Sequence, residues 1–559
     1  MMRNLSAFLL VGLAIQPTSG RDHAPGNDSI RKEDLKADLF FLASDPLAGR
    51  LTGTRENLVA SEFIRSRFER LELKPAGPEG SFFQPYNLMT AAIGQANALE
   101  VGEENRSQRF SLGEDFYPLR FSASGKVRGS LVYVGFGISA PQLGYDDYRD
   151  RRGGAGSVPA PRAETAGKVV LALEHEPGER DPASPFDGLV SAEAATPLRK
   201  ALAAQEAGAS GILFVSDVHN HPGPSDFQAA AKSYWPSPPR RIPSYMLAEW
   251  VERVRIPAAS ISPALAAVLL RGSGRGLEEL ARAAETAQGM TPTPLSGSRI
   301  DLTVEVGHQI QPDHNVVGLI EGSDPRLKDE WLIVCAHFDH NGADGDNVFN
   351  GADDNGSGTV GLLAIAEAYR VALAAGDRPR RSVLFAAWNS EERGLLGAWA
   401  YTERPLWPLA KTVAVLNMDM IGRSEEVPEG GGQRFRGLEL QTAESNANAV
   451  NLLGWSKSPE LTADIERANQ SIGLELKKRY DNNASNLVRR SDHWPFLERG
   501  VPAIGFATGL HPDYHTVFDR PEKIQYEKLE KIVRLVHQAS WELAQRDGRP
   551  ALSTTRPTP

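Results

Sequence analysis

The chain has 559 residues, 41% hydrophobic and 24% charged, with a formal net charge of -10. That length exceeds what one core accommodates and predicts two or three domains. The acidic balance, with no stripe of Lys and Arg, excludes a nucleic-acid partner, and the single cysteine, Cys335, excludes an internal disulfide.

The opening "MMRNLSAFLLVGLAIQPTSGRDHAPG" places Arg3 before an apolar stretch from Leu5 to Ile15, then small and polar residues. This is the pattern of a secretory signal peptide, residues 1–20, and the stretch is too short to cross a bilayer. A retained anchor helix is the alternative. No later segment approaches about 20 uncharged apolar residues, so no membrane span is expected in an exported, periplasmic or extracellular mature chain.

Residues 21–126 are expected to open the catalytic domain. Within "NLVASEFIRSRFERL", Leu58, Val59, Phe63, Ile64, Phe68 and Leu71 recur at helical spacing. From 127 to 290 the texture changes. Apolar runs such as "KVVLALEH" and "GILFVSD" alternate with an Ala-rich helix and Pro-rich loops, which suits a separate α/β domain without a phosphate loop or catalytic cluster. From 291 to 545 apolar runs alternate with helices again, predicting an α/β fold with a mostly parallel or mixed sheet covered on both faces. Cys335, inside "WLIVCAH", reads as a small buried hydrophobe. Residues 546–559 read as a disordered tail.

Four apolar runs of the last region lead into metal-ligating residues. "WLIVCAHFDH" carries His337 and Asp339, "SVLFAAWNSEE" carries Glu391 and Glu392, "TVAVLNMD" ends in Asp419, and "VPAIGFATGLHPDYHT" leads to His515. Open α/β sheets place ligands beyond the carboxyl ends of their strands, so these residues can converge on one crevice. The segment "GADDNGSG" adds Asp353 or Asp354 near a helix start. An EF-hand beginning at Asp344 is excluded, because its twelfth position is Asn355. Imidazole nitrogen together with carboxylate oxygen suits zinc, and two His with three carboxylates are too many for one open tetrahedral ion but fit two that share a carboxylate. Adjacent glutamates on an extended segment point to opposite sides, so Glu391 and Glu392 are expected to have separate tasks.

The ordered series "AHFDH", "GADDNGSG", "SEERGLLG", "NMDMIG" and "YHTVFD" resembles the zinc exopeptidases of metallopeptidase family twenty-eight, which includes bacterial aminopeptidases and glutamate carboxypeptidases. The early "LASDPLAGRLTGT" is similar to the N-terminal part of secreted members. The resemblance implies a zinc exopeptidase fold and two zinc ions, one on His337 and Asp419, another on Glu392 and His515, with Asp354 bridging. It implies Glu391 as general base, Asp339 as a hydrogen-bond partner of His337, and Tyr514 as a stabiliser of the oxyanion. Residues 127–290 resemble an inserted protease-associated domain, a lid over the active site. The implied activity is that of an aminopeptidase acting on peptides. A carboxypeptidase, a glutaminyl-cyclase-like enzyme and a non-catalytic binding protein are the competing readings, and oligomeric state is left open.

Overall fold

The computed structural model describes residues 23–103, 106–149, 164–223 and 226–553. The expected signal peptide, residues 1–20, lies outside them. Seven strands build the main sheet: β1 (Phe83–Ile93), β2 (Val306–Ile320), β3 (Trp331–His337), β4 (Ser382–Trp388), β5 (Thr412–Met418), β6 (Ala449–Leu453) and β7 (Ala503–Ala507), with short strands at its margins. Their spatial order is β1-β2-β4-β3-β5-β7-β6. The four inner strands β4, β3, β5 and β7 run parallel, and antiparallel pairs flank them.

Every residue of β3, β4 and β5 is buried, as a parallel sheet covered on both faces requires. Side chains alternate between the faces. Leu332, Val334 and Ala336 join one core with Phe385 and Leu416, whereas Ile333, Cys335, Leu384 and Trp388 join the opposite core. The first core is closed by α1 (Lys32–Leu42), α2 (Arg55–Arg70), α3 (Gly358–Ala374) and α4 (Tyr526–Gln545). Thr54 starts α2 by accepting a hydrogen bond from the Asn57 amide at 3.3 Å. Among the described residues, the one helical stretch long and apolar enough to cross a membrane, Ala352–Ala374, is this buried core helix.

A second, eight-stranded sheet has its own cores and draws its strands from Ala98 to Val304. It therefore reaches beyond the 127–290 expected from texture. Ala98–Glu103, Arg106–Phe110 and Phe116–Pro118 pair into it rather than into the main sheet, and so does Thr293–Val304. Arg109 and Glu100 face each other across two of these strands, so the apolar texture by which the boundary was drawn is diluted there. The ribbon of β1 and β2 links the two sheets, since the chain enters this unit after β1 and returns from it into β2 beside the point of entry, where Ala98 pairs with Thr303.

The tail expected to be loose from residue 546 instead follows the body as far as it is described. Buried Arg381 donates to the carbonyls of Asp547 and Gly548 at 3.0 and 3.2 Å, and the Ser553 amide reaches the Lys457 carbonyl at 2.9 Å. An exposed polar segment without periodicity gives no sign of such backbone docking in its sequence.

Candidate metal centre

The carboxyl ends of the parallel strands meet at one cleft. His337 is the last residue of β3, Asp419 follows β5 directly, and Glu391 and Glu392 stand three and four residues beyond β4. His515 comes from the loop after β7. Asp354 belongs to the turn that feeds α3. Gly358 begins that helix, and a Cβ there would stand 2.4 Å from the Met418 carbonyl, so only glycine lets the aspartate turn approach the end of β5 this closely.

The two aspartates of "GADDN" face different ways. Asp354 Oδ1 lies 3.4 Å from His337 Nε2, while its Oδ2 lies 2.9 Å from His515 Nε2. Asp353 turns away: its Oδ1 accepts from the Gly422 amide at 2.6 Å and its Oδ2 faces His511 Nε2 at 3.2 Å. Asp519, fully buried, accepts from both aspartate amides at 2.9 to 3.1 Å and fixes the turn.

The glutamates divide in a similar way, although not by strand alternation. Ser390 at φ 62° ends the extended run, and Glu391–Arg393 form a 3₁₀ turn. Glu391 Oε2 approaches His337 Nε2 at 3.6 Å. Glu392 instead meets His515 Nε2 at 3.2 Å and His340 Nδ1 at 2.7 Å. The turn is clamped from beneath. Asp339 Oδ1 accepts from the Glu391 amide at 3.0 Å and its Oδ2 from the Glu392 amide at 3.3 Å, while Asp313 accepts from the Ser390 hydroxyl and the Asn389 amide at 2.5 and 2.6 Å. Burial pushes Asp313 up to about 6.

The Asp339 carboxylate also stands 3.6 Å from His337 Nδ1, and Thr52 donates to its Oδ2 at 3.3 Å. His337 Nδ1 approaches the Asp339 backbone carbonyl at 3.3 Å as well.

Two groups of ligating atoms result: His337, Glu391 and Asp419 on one side, His340, Asp354 and Glu392 on the other, with His515 beside the second. His337 Nε2 lies 3.4 Å from Asp419 Oδ1, and both atoms are buried without a hydrogen bond. Such orphaned atoms call for a cation. The electrostatics agree. Burial opposes charge on His337 and His515, yet the surrounding carboxylates raise both rings, His515 to about 10, so protons are held where a metal would take their place. Burial first, then the neighbouring acids, holds Glu391 well above the ordinary carboxylate range.

The free space of the cleft, counted out to the open solvent at its mouth, is about 590 Å³. Leu453, Leu487, Phe506 and Leu510 give it an apolar wall, and Arg490 also lines it. Tyr514 stacks on His515 with ring centroids 3.8 Å apart, and its hydroxyl accepts from the Arg490 guanidinium at 2.9 Å.

Sequence reasoning passed over several residues that shape this site. His340 sat inside a quoted motif without a role. Arg50, fully buried, donates to the carbonyls of Phe338, Leu42, Asn350 and Gly351 at 2.6 to 2.9 Å, tying the end of β3 to the aspartate turn. Burial lowers its guanidinium to about 10. Asp492 lies beneath the centre with both oxygens buried and unbonded, and burial holds it well above its ordinary range. A charged residue inside an otherwise apolar or Gly-rich stretch was the available signal for Arg50.

Fold and site together define an α/β unit with a paired His/carboxylate centre at the ends of its parallel strands. Residues 315–540 match the family model "Peptidase family M28". Aminopeptidase NAALADL1 of Mus musculus is 36% identical over 243 residues, covering 40% of this chain and 30% of the relative. Aminopeptidase YwaD of Bacillus subtilis (strain 168) is 27% identical over 248 residues, 43% of this chain and 47% of the relative. Probable glutamate carboxypeptidase AMP1 of Arabidopsis thaliana is 28% identical over 228 residues, 39% of this chain and 28% of the relative. The matched stretch thus spans less than half the length of each of these curated relatives. Among solved structures, an aminopeptidase from Aneurinibacillus sp. strain AM-1 aligns with 18% identity and a TM-score of 0.46 over 95% of this chain and 97% of that one. The likeness to peptidase family M28 is confined to residues 315–540.

Proposed function

We propose that the chain is an exported metallo-exopeptidase, an aminopeptidase with two zinc ions that removes residues from the amino end of peptides. The observation that carries this reading is the division of Asp354, whose two oxygens face His337 and His515 respectively. Imidazole with carboxylate suits zinc, and a pair of zinc ions sharing a carboxylate supplies a water acidic enough to ionise near neutral pH. His337 and Asp419 would hold one ion, Glu392 and His515 the other, and Asp354 both.

Glu391, at the edge of the cleft, takes a proton from the attacking water and returns it to the departing amine. Because Arg490 donates to the Tyr514 oxygen, the Tyr514 hydrogen is free to point into the cleft, where it would steady negative charge on the carbonyl oxygen. The apolar wall formed by Leu453, Leu487, Phe506 and Leu510 suits a substrate with an apolar terminal side chain. The second sheet is assigned the role of a lid-bearing protease-associated insert, whose residues 182–193 brace the cleft wall at 482–489.

Replacing Asp354 by Asn is expected to cost two zinc ions per chain relative to the unaltered protein and to abolish hydrolysis of aminoacyl anilides. Loss of a single ion would reduce the reading to a mononuclear site. Chelation of the unaltered enzyme is expected to stop the same hydrolysis, and zinc to restore it.

Arg490 favours a second reading, since a carboxypeptidase needs a cation for the terminal carboxylate and Arg490 lies in the cleft. Dipeptides blocked at one end separate the two. Cleavage of C-blocked but not N-blocked substrates is expected for the aminopeptidase, and the reverse would select the alternative.

A further inference from the structure

The second sheet carries a histidine cluster that the sequence did not single out. Strands Val169–Leu173 and Gly211–Val215 lie side by side and parallel. His175 follows the first by two residues and His221 the second by six, with Glu179 on the same loop as His175. Both loops leave the carboxyl ends of adjacent parallel strands, the position where open α/β sheets hold ligands. His221 Nε2 stands 2.7 Å from Glu179 Oε1, His175 Nδ1 stands 3.4 Å from Glu179 Oε2, and the two imidazole rings stack with centroids 4.1 Å apart.

We propose that His175, Glu179 and His221 form a separate binding site for a divalent transition-metal ion of the zinc type, outside the catalytic cleft. One ligand atom from each residue lies within 4.8 Å of the others. Ligands of a tetrahedral zinc are about 3.3 Å apart for bonds of about 2.0 Å, so small side-chain rotations close the set. The two histidine side chains are about two-fifths exposed, at 43% and 41%, which leaves a fourth position open to water or another ligand.

The loops are held in place from below, as a built site requires. Lys200, fully buried, donates to the carbonyls of Leu173 and His175, and His175 itself sits at φ 63°. Asp217, also buried, accepts from the His219 amide at 3.1 Å and the Asn220 side chain at 2.8 Å. Glu285 joins the two loops, accepting from the Gly178 amide at 2.8 Å and from Asn220 Nδ2 at 2.5 Å. The chain from Glu179 continues into the strap that docks on the catalytic body, where Lys457 pairs with Asp187 at 2.6 Å and the Leu189 amide reaches Asn482 at 2.8 Å. A metal here would stiffen the base of that strap.

The test is equilibrium dialysis of the full chain against micromolar zinc, with metal counted per chain, for the unaltered protein, His221→Ala and His175→Asn. Asn is chosen at 175 because it tolerates a left-handed backbone. Each variant is expected to bind one ion fewer, with anilide hydrolysis retained. Zinc is also expected to slow hydrogen exchange of residues 175–190 in the unaltered protein alone. Equal metal counts in all three proteins would overturn the proposal and leave the cluster as a hydrogen-bonded pair with a stacked neighbour. Failure of the cleft reading would lower every count together and preserve the difference of one, so the two are distinguishable.

Discussion

Glu391→Gln is expected to lower turnover by about 10²-fold or more while leaving the metal content and fold unchanged. The substitution keeps the length and shape of the side chain, so the 3₁₀ turn and its clamps to Asp339 and Asp313 survive. What it removes is the ability to carry a proton. The measurement is kcat on an aminoacyl anilide beside zinc per chain. Near-normal turnover in a protein with its full metal complement would transfer the general-base role elsewhere. Loss of metal in E391Q would instead make Glu391 a ligand, which its 3.6 Å approach to His337 keeps in view as the opposing result.

Arg50→Met is the second substitution with a large expected effect. Arg50 is buried, and its guanidinium supplies hydrogen bonds to four carbonyls from three separate segments. Methionine fills comparable space but leaves these acceptors without donors, a loss of about 3–5 kcal/mol by the usual cost of stranding buried polar groups. Unfolding by urea should shift to a markedly lower midpoint, and zinc should be held more weakly, because the Phe338 and Gly351 carbonyls belong to the two segments that carry His337 and Asp354. Arg50→Lys should recover only part of the loss, since an ammonium cannot fork to four acceptors as a guanidinium does. An unchanged midpoint in R50M would mean that the tie is redundant.

The centre of the fold was legible because parallel strands buried on both faces must be continuous apolar runs, and each such run led into a residue of a type able to ligate a metal. "WLIVCAH", "SVLFAAW" and "TVAVLNM" are strands, and of the two aspartates Asp354 is the one that lies between His337 and His515. Less legible was anything set by contacts distant in sequence. Arg50 is 288 residues from Phe338, and nothing local marks that pairing. The same holds for the second sheet, whose half-polar outer strands carry a weak apolar pattern, and for His175 and His221, brought together by the parallel pairing of strands about forty residues apart. The motif set Asp339 near His337, but nothing in it reveals that the same carboxylate also accepts from the amides of the glutamate turn.

That turn has an implication for how such a site can vary. Glu391 and Glu392 hang from one short rigid piece of backbone whose two amides share a single carboxylate, Asp339. Neither side chain can be advanced or withdrawn without dragging its neighbour. With the roles proposed for them, proton handling and ion holding would be geared to one lever, and a backbone change that improved one would degrade the other. Independent adjustment is left to groups that touch only one of the pair, and His340, at 2.7 Å from Glu392 alone, is the most direct of them.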